Sequence, residues 1–372
     1  MSRYRIVLTL VIVLAALMTV VTAAGAQAAG GAAQDPAAPD PAAAAPGDPA
    51  EPGAGGEPDL TGCDPFAEID PAHFGDPTRI DNELFPLTPG TRRVYEGRAN
   101  RGGGPLPHTV TFTVTDVTKV IDGIRAVAVW DVDSSDGEIQ EEELSFFAQD
   151  DDGNVWNLGE YPEEFENGEF VGAPNTWFSG IDDAVGGIHM LGDPAVGDAY
   201  LQGDSPSIDF LDCAEVTEIG GSATVPVGSF DDTLTTTERS PLDPASGEQT
   251  KTHARGVGIV SIGAVDDPEG ETLVLTELSE LDEADRTEAT EAALRLDARG
   301  FENSDVFAQT EPAEIGTPDD KGDDEDHGDD DDHGDKDHGD KDHGDRGDDE
   351  HGDRGGHGHG DRGDGGGRHE EV

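Results

Sequence analysis

The chain has 372 residues, of which 83 are Asp or Glu and 22 are Lys or Arg, giving a formal net charge of −61. A charge of this sign argues against binding to nucleic acid or to an anionic membrane surface, because Lys and Arg recognise both. The expected partners are divalent metal ions or other cations, and no protein partner is identifiable. The alternative is that the acidic surface serves only solubility.

The N-terminus has the order of residues found in secretory signal peptides. Arg3 and Arg5 precede an apolar run over residues 6–21, and small residues with two A-x-A patterns follow, ending at Ala28. The run is shorter than the roughly 20 residues that span a bilayer. We therefore predict a signal peptide over residues 1–28 and a secreted or extracytoplasmic protein. The alternative is an uncleaved N-terminal membrane anchor.

Composition divides the rest of the chain into four segments. The part before residue 60 is rich in Pro, Ala and Gly, and the part from residue 319 is rich in His, Asp and Gly. Neither part can bury an apolar core. We predict a disordered linker over residues 29–59, a β-rich domain over residues 60–281, a helix over residues 282–300 and a disordered acidic tail over residues 301–372.

In the first half of the β-rich domain, runs of alternating apolar residues are separated by pairs that end in glycine. These pairs are Asp122-Gly123, Asp136-Gly137, Asp152-Gly153 and Asn167-Gly168. Asp-Gly and Asn-Gly favour two-residue hairpin turns, because both central residues of a type I′ turn need positive φ. Turns of this kind in series predict an antiparallel meander.

The second half of the domain continues in the same style. We predict "SATVPVGSF" and "TLTTTE" as strands around a Gly-containing turn, with Pro226 inside a strand at an edge or a bulge. "GVGIVSIGAV" and "ETLVLTEL" are predicted as a hairpin closed by "DDPEGE". The predicted fold class is mainly β: an antiparallel meander, a curved sheet or an open barrel, with one C-terminal helix and disordered termini.

The stretch "SELDEADRTEATEAALRLDARG" has the period of a helix. It begins with an S-x-x-D capping pattern and ends at Gly300. We expect this helix to lie on the sheet or to project from it as a stalk.

The chain contains two cysteines, Cys63 and Cys213. In an exported protein they are expected to form one disulfide, which would tie the segment that enters the domain to the middle of the domain. The alternative is two unpaired thiols.

Taken together, four stretches resemble one group of proteins: "FPLTPGTRRVYEG" (residues 85–97), "DDDGNVWNLGE" (150–160), "VPVGSFDDTL" (225–234) and "ARGVGIV" (254–260). The group comprises exported, uncharacterised bacterial β-rich domains with a LolA-like or related curved-sheet appearance. The resemblance implies export and a curved sheet that could enclose an apolar ligand, and it brings no catalytic residues. Arg93 stands where the group has Trp, and His253 stands where it has Tyr.

Catalytic motifs are not indicated by the sequence. No G-x-S-x-G, H-E-x-x-H, P-loop or dinucleotide-binding pattern occurs. The stretch "GEYPEEFENGE" offers acidic side chains for acid–base chemistry, but such clusters arise by chance in so acidic a chain. Its acidic residues are Glu160, Glu163, Glu164, Glu166 and Glu169. His73, His108, His189 and His253 are predicted to be surface or hydrogen-bonded residues.

A calcium loop is excluded by its spacing. In "DVDSSDGEIQEE" (residues 131–142), taking Gly137 as the sixth loop position puts Val132 first and Ser134 third, so ligands are missing. The stretch is predicted to be an Asp-rich turn.

The tail carries the predicted metal ligands. Imidazole together with carboxylate suits zinc, nickel, copper or cobalt, and the glycines let the backbone bring several imidazoles to one ion. The candidate ligands are His327, His333, His338, His343, His351, His357, His359 and His369.

The sequence therefore predicts an exported, non-enzymatic protein without a required cofactor, whose tail can bind divalent transition metals. Two alternatives stay open: a carrier of an apolar ligand on the curved sheet, and a tail that is only a solubilising spacer. A hydrolase that uses carboxylates is the least favoured.

Overall fold

The structure is a computed structural model, and it describes residues 58–101 and 103–316. The predicted signal peptide, nearly all of the predicted linker, and the part of the tail from residue 317 lie outside the described residues. Within these residues, no helix combines the length and the apolar character needed to cross a membrane.

The described chain is mainly β, as predicted, and its long strands close on themselves. Successive strands pair antiparallel, and β1 pairs with both β14 and β2, which completes a ring of twelve strands. Three short strands lie beside the ring, because β6 and β7 pair with β5, and β15 pairs with β2. The strands are β1 (Thr91–Asn100), β2 (Pro105–Ile121), β3 (Ile124–Ser135), β4 (Glu138–Gln149), β5 (Val155–Glu166), β6 (Glu169–Gly172), β7 (Trp177–Phe178), β8 (Val185–Met190), β9 (Ala199–Ser205), β10 (Phe210–Val225), β11 (Gly228–Arg239), β12 (Glu248–Ala254), β13 (Gly258–Val265), β14 (Thr272–Glu280) and β15 (Glu314–Ile315).

The hairpin turns follow the predicted chemistry at three of the four sites. Both residues of Asp122-Gly123, Asp136-Gly137 and Asn167-Gly168 have positive φ, as type I′ turns require. The fourth site differs, because only Gly153 of its pair has positive φ. There the Asp150 carboxylate closes the turn by accepting hydrogen bonds from the backbone N–H groups of Asp152 and Asn154.

The prediction for Pro226 was wrong. The residue does not lie inside a strand: β10 ends at Val225 and β11 begins at Gly228, and these two residues pair across the turn. Proline has a fixed φ and no N–H to donate. It therefore fits a turn, whereas inside a strand it would remove a hydrogen bond of the sheet. The predicted hairpin of β13 and β14 is confirmed.

One half of the barrel interior is filled by aromatic side chains. Phe85, from the segment before β1, packs against Phe112 and Phe147 with ring centroids 6.2 and 5.6 Å apart. His189 stacks on the same Phe85 ring at 4.2 Å. These rings make a solid apolar core in this half, and the half nearer the β1–β2 and β3–β4 turns is polar.

The single α-helix of the described residues, α1, runs over Glu283–Asn303. The Asp282 side chain caps its N-terminus by accepting hydrogen bonds from the N–H groups of Ala284 and Asp285. The helix lies on β2, β3 and β4, and it continues past Gly300, where the sequence predicted its end. A Cβ at Gly300 would stand 2.6 Å from the Phe307 ring, so glycine is there for close packing and not for termination.

A buried lysine fastens this helix to the barrel. The Lys119 Nζ of β2 donates to Asp297 of α1 at 2.8 Å and to the carbonyl oxygen of Glu311 at 2.5 Å. It also lies 4.2 Å from the Phe307 ring centroid, a cation–π distance. The Lys119 side chain is completely buried, and that of Asp297 is 7% exposed.

We expect Lys119→Met to destabilise the protein by about 3 kcal/mol, because removing one partner of a buried ion pair leaves the other uncompensated. Urea unfolding at pH 7 measures this. The double variant Lys119→Met/Asp297→Asn should regain part of the loss. An unchanged midpoint in the single variant would show that the pair does not hold the helix.

The predicted disulfide between Cys63 and Cys213 is present, with the two Cα atoms 5.1 Å apart. The bridge packs with Leu201 and Leu211 in a small apolar cluster of its own. Beside it, the Arg239 guanidinium donates to the backbone oxygens of Asp59 and Thr61. The entering segment is therefore tied to β10 and β11, in the middle of the domain.

Candidate functional site

The eight predicted tail ligands, from His327 to His369, lie outside the described residues, so their role as metal ligands stays a prediction. The structure instead brings acidic side chains together inside the polar half of the barrel. We call this set, Asp131, Asp133, Glu141, Glu143 and Glu160, the lumen carboxylates.

Strand alternation turns Asp131 and Asp133 of β3 toward the interior. Their neighbour Trp130 points outward, where its indole N–H donates to Glu142 at 3.1 Å. Glu142 also pairs with Arg299 of α1 on the outer surface. Successive side chains of a strand face opposite sides, so Asp131 and Asp133 face inward. They are 4% and 3% exposed.

The partner strand adds two more carboxyl groups. The register of β3 and β4 places Glu143 opposite Asp131 and Glu141 opposite Asp133. Side chains that face each other on one side of a sheet are within contact range. Both glutamates are buried. One hairpin therefore contributes four of the five lumen carboxylates.

Glu160 of β5 is the fifth member, and its oxygens have hydrogen-bond donors. Asn157 donates to it at 2.9 Å, and the indole N–H of Trp177 donates to it at 3.1 Å. Glu164 lies four residues further along the strand and opposite Glu141, at the edge of the cluster. Asn175 donates to Glu164 at 2.9 Å.

The opposite wall of the barrel carries the buried ammonium group of Lys251. Its Nζ lies 2.5 Å from a carboxylate oxygen of Glu238 on the adjacent strand, and both side chains are buried. The Lys251 charge also acts on Glu160, which belongs to a strand far from β12 in the ring. Lys251, Glu238 and Glu160 are all buried, in agreement with a shared interior.

A second charged network lies at the β1–β2 turn end. His108 stands between Glu271 and Asp133, with nitrogen–oxygen distances of 2.9 and 3.3 Å. The Arg101 guanidinium reaches Asp133 at 3.2 Å and Glu269 at 3.0 Å. Burial opposes the charged imidazolium, but the hydrogen bond to Glu271 and the two carboxylate charges outweigh it, so the pKa of His108 is raised.

Two of the lumen carboxylates lack hydrogen bonds of standard geometry at both oxygens. These are Asp131 and Glu143, and one oxygen of Glu141 lacks such a bond as well. The Ser145 hydroxyl and the Val132 N–H lie close enough to Glu143 and Asp131 to lower their pKa values, but not in standard hydrogen-bond geometry. Buried polar groups in folded proteins are nearly always paired, so these carboxyl groups make the lumen the candidate site.

Burial raises the pKa of all five lumen carboxylates. The pKa values of Asp131, Glu141 and Glu143 are raised well above the ordinary range by burial and then by the neighbouring carboxylates. Burial raises the pKa of Asp133 to about 7, although His108 and Arg101 oppose the rise. Burial likewise raises the pKa of Glu160 to about 7, against its hydrogen bonds from Asn157 and Trp177 and the Lys251 charge.

The acidic stretch predicted from "GEYPEEFENGE" is divided by the sheet. Glu160 faces the lumen, and Glu164 lies at its edge. Glu163 faces outward, where Arg299 donates to both of its oxygens at 2.9 Å. Glu166 and Glu169 flank the exposed β5–β6 turn. This stretch therefore does not form one site.

The prediction for residues 131–142 was wrong. The stretch is not only an Asp-rich turn, because Asp131 and Asp133 lie within β3 and only Asp136 lies in the turn. The histidines were predicted to be surface or hydrogen-bonded residues, and His108, His189 and His253 are buried, each 1% exposed. His108 and His253 are hydrogen-bonded, as predicted, the latter with the carbonyl oxygen of Leu84 at 3.2 Å. Burial lowers the pKa of His189 and lowers that of His253 to about 3.

The sequence carries part of the signal for the lumen. In "DVDSSDGEIQEEE", Asp131 and Asp133 alternate before the Asp136-Gly137 turn, and Glu141 and Glu143 alternate after it. The turn alone would pair Asp133 with Gln140, and it is the register shift between Asp133 and Ser134 that brings Glu141 opposite Asp133 and Glu143 opposite Asp131.

The residues that depart from the predicted family pattern lie where two of its motifs meet. Arg93 donates from Nε to the carbonyl oxygen of Val257 and from its terminal nitrogen to that of Pro86. His253 contacts Leu84 in the same region. Arg93 thus joins the "FPLTPG" and "ARGVG" stretches.

The lumen offers oxygen donors and almost no access for a substrate. Carboxylate oxygens suit hard cations, and buried carboxyl groups near pH 7 can exchange protons. In their present positions, no three His, Cys, Asp or Glu side chains of residues 58–101 and 103–316 are arranged to hold a metal ion. An ion would therefore require side chains of the cluster to turn toward it.

Comparison with known proteins adds little to this description. No family model matches the sequence, and no curated protein matches it. A solved protein of Bacteroides fragilis, described as exported and as having a YmcC-like fold, shares 11% identity with a TM-score of 0.29; the match covers 53% of this chain and 98% of the other. A protein of Parabacteroides distasonis, described as a lipoprotein, shares 17% identity with a TM-score of 0.25 and has the same coverage. Scores of this size support no conclusion about the present chain, and the LolA-like appearance stays a prediction.

Proposed function

We propose that this chain is an extracytoplasmic, non-enzymatic protein that binds a small cation inside its barrel. The observation that carries the proposal is the state of Asp131 and Glu143, whose carboxylate oxygens are buried without hydrogen bonds of standard geometry. A buried carboxylate is costly unless it is protonated or paired. A cation in the lumen would supply the missing partner, and the signal-peptide pattern supports an extracytoplasmic location.

Burial also favours binding over catalysis. A hydrolase needs its acid and base within hydrogen-bond reach of a substrate. The lumen carboxylates are at most 4% exposed, which suits a small ion better than a larger substrate.

The carrier alternative has less support. An apolar ligand needs an apolar cavity, and Phe85, Phe112 and Phe147 occupy the apolar half of the barrel interior. A cavity of about 350 Å³ lined by Phe66, Trp156 and Leu201 is left for such a ligand beside β5 and β8. Where α1 meets the barrel, Phe307 and the buried Lys119 lie in the contact.

The tail is the second candidate for cation binding, on the strength of its sequence. His333, His338 and His343 recur every five residues, and His357 and His359 form H-G-H. Such a segment supports several interchangeable sites for zinc, nickel, copper or cobalt, which would weaken below roughly pH 6 as imidazole protonates. If the tail is only a solubilising spacer, its metal binding should have no effect on the function of the protein.

Calorimetric titration of the full-length chain separates the two sites. We expect Asp131→Asn/Glu143→Gln to lose the tightest binding of Ca²⁺ or Mn²⁺ and to keep tail binding of Zn²⁺. Replacing the eight tail histidines with serine should do the reverse. If the lumen variant binds Ca²⁺ and Mn²⁺ as the natural chain does, the proposed function is wrong.

A further inference from the structure

A buried arginine on β1, Arg93, has no acidic partner among residues 58–101 and 103–316. The residue is 4% exposed, and none of the ion pairs in this part of the chain includes it. The less buried Arg255, Arg286 and Arg299 each pair with carboxylates. An unpaired buried charge is costly, so a guanidinium left alone in so acidic a chain indicates that an anion comes from elsewhere.

The Arg93 guanidinium also has unused hydrogen-bond donors. Of its five N–H groups, one on Nε donates to the carbonyl oxygen of Val257 at 2.9 Å and one on Nη2 donates to that of Pro86 at 2.7 Å. The Nη1 atom is buried and has no acceptor. The Phe112 ring lies 5.7 Å from the guanidinium carbon and covers one face without supplying a negative charge. Both N–H groups of Nη1 and the second one of Nη2 are therefore left for a ligand.

Arg93 lines a cavity of about 270 Å³ where β1 begins and β14 ends. The strand register places Leu278 opposite Arg93 and Glu280 opposite Thr91, and all four residues line the cavity. Pro86 and Thr88, from the segment before β1, complete the part of the wall that matters for binding. The unused guanidinium donors thus belong to a residue with space beside it.

We infer that this cavity binds a small organic carboxylate through Arg93, separately from the cation site in the lumen. The two oxygens of a carboxylate match two neighbouring N–H groups of a guanidinium. One positive charge balances a monovalent carboxylate, whereas phosphate or sulfate would keep excess negative charge in a buried place. The Thr88 and Thr91 hydroxyls offer further donors, and Pro86 and Leu278 offer apolar contact for the body of the ligand.

Glu280 lines the same cavity but does not provide the counter-charge of Arg93. Its side chain is exposed, and its charge acts on Arg286. Burial lowers the pKa of Arg93, and it is Tyr95, not a carboxylate, that opposes this fall. Repulsion from Glu280 would be stronger for a dianion than for a monoanion, which again favours a monocarboxylate.

The test is a titration of the full-length chain with butyrate, followed by saturation-transfer NMR at constant ionic strength with a chelator present. Butyramide, an uncharged molecule of the same size, is titrated in parallel. We expect saturable binding of butyrate and no binding of butyramide, because only the carboxylate can pair with the guanidinium. Equal binding of the two molecules, or no saturable binding of butyrate, would overturn the inference.

Two variants assign the binding to this cavity. Arg93→Gln should weaken butyrate binding by at least about tenfold, the smallest loss expected for hydrogen bonds to a charged group. Because Arg93 also joins two segments, Leu278→Trp provides a second test that leaves the arginine in place. Leu278 is 41% exposed, so the variant should fold, and its indole should fill the cavity and block butyrate.

The matched control is Arg92→Gln, which removes the same charge from the neighbouring position. Arg92 faces the other side of β1 and donates to the Thr113 hydroxyl at 3.3 Å. This variant should bind butyrate as the natural chain does. Urea unfolding midpoints of all three variants establish that they are folded. Butyrate binding that persists unchanged in both Arg93→Gln and Leu278→Trp would place the ligand elsewhere and overturn the inference.

Discussion

In the absence of divalent cations, Glu143→Gln is expected to be more stable than the natural protein at pH 8 and of similar stability at pH 5. The folded chain binds protons at the lumen carboxylates more tightly than the unfolded chain does, because burial raises their pKa. A carboxyl group of this kind destabilises the fold at any pH above its unfolded pKa, and the loss grows until the pH reaches its folded pKa.

The size of the effect follows from the shifts. Asp133 rises from 3.8 and Glu160 from 4.5, each to about 7, so each would lower the free energy of unfolding on the order of 3 to 4 kcal/mol between pH 4 and pH 7. The pKa of Glu143 is raised as well, so its neutral amide should recover on the order of 2 kcal/mol at pH 8, the scale found when a buried charged group is replaced by an uncharged one of similar size.

Other buried groups change stability with pH in both directions. His253 and His189 have lowered pKa values, so their contribution is lost as the pH falls below about 6.5. His108 has a raised pKa, and its contribution is lost as the pH rises. The histidine contributions are nearly the same in Glu143→Gln and in the natural protein. They therefore largely cancel when the free energies of unfolding of the two proteins are compared at the same pH. Urea unfolding with a chelator at pH 5 and pH 8 measures that difference, with Glu138→Gln as the control. A variant that is less stable at pH 8 would contradict the account.

Removal of the disulfide is expected to cost about 5 kcal/mol, the chain-entropy value for so long a loop. Cys63 and Cys213 are 150 residues apart in the sequence. Without the disulfide, the unfolded chain therefore has a much larger conformational entropy. The entering segment would then be held mainly by the Arg239 hydrogen bonds to Asp59 and Thr61.

Urea unfolding of Cys63→Ser/Cys213→Ser at pH 7 measures this loss, with the reduced natural protein as a control for the two serines. The reduced protein should be destabilised to a similar extent. A change below about 1 kcal/mol in both would mean that the unfolded state is already compact around this pair.

The local features of the fold could be predicted from the sequence, because they depend on neighbouring residues. Asp122-Gly123, Asp136-Gly137 and Asn167-Gly168 fixed the positions of three hairpins, and "SELDEAD" marked the start of α1. Pro226 and Gly300 were misplaced, since each is explained by a contact or a turn that only the folded chain reveals.

The lumen was missed for a different reason. Aspartate is common in turns, and this preference conceals the alternation of Asp131 and Asp133 along a strand. Closure of the ring by the β1–β2 and β1–β14 pairs decides which face of β3 is interior. That closure joins residues far apart in the chain, and a single sequence does not specify it.

Diffraction from crystals of the full-length protein grown with Mn²⁺ above pH 7 tests the central claim most directly. We expect an anomalous peak inside the barrel, with Asp131, Glu141 and Glu143 as the ligands of the ion. The distance from the ion to their carboxylate oxygens should be about 2.0 to 2.6 Å, as hard divalent ions require. Mn²⁺ confined to the surface or the tail, with the lumen carboxylates hydrogen-bonded to one another or to water, would contradict it.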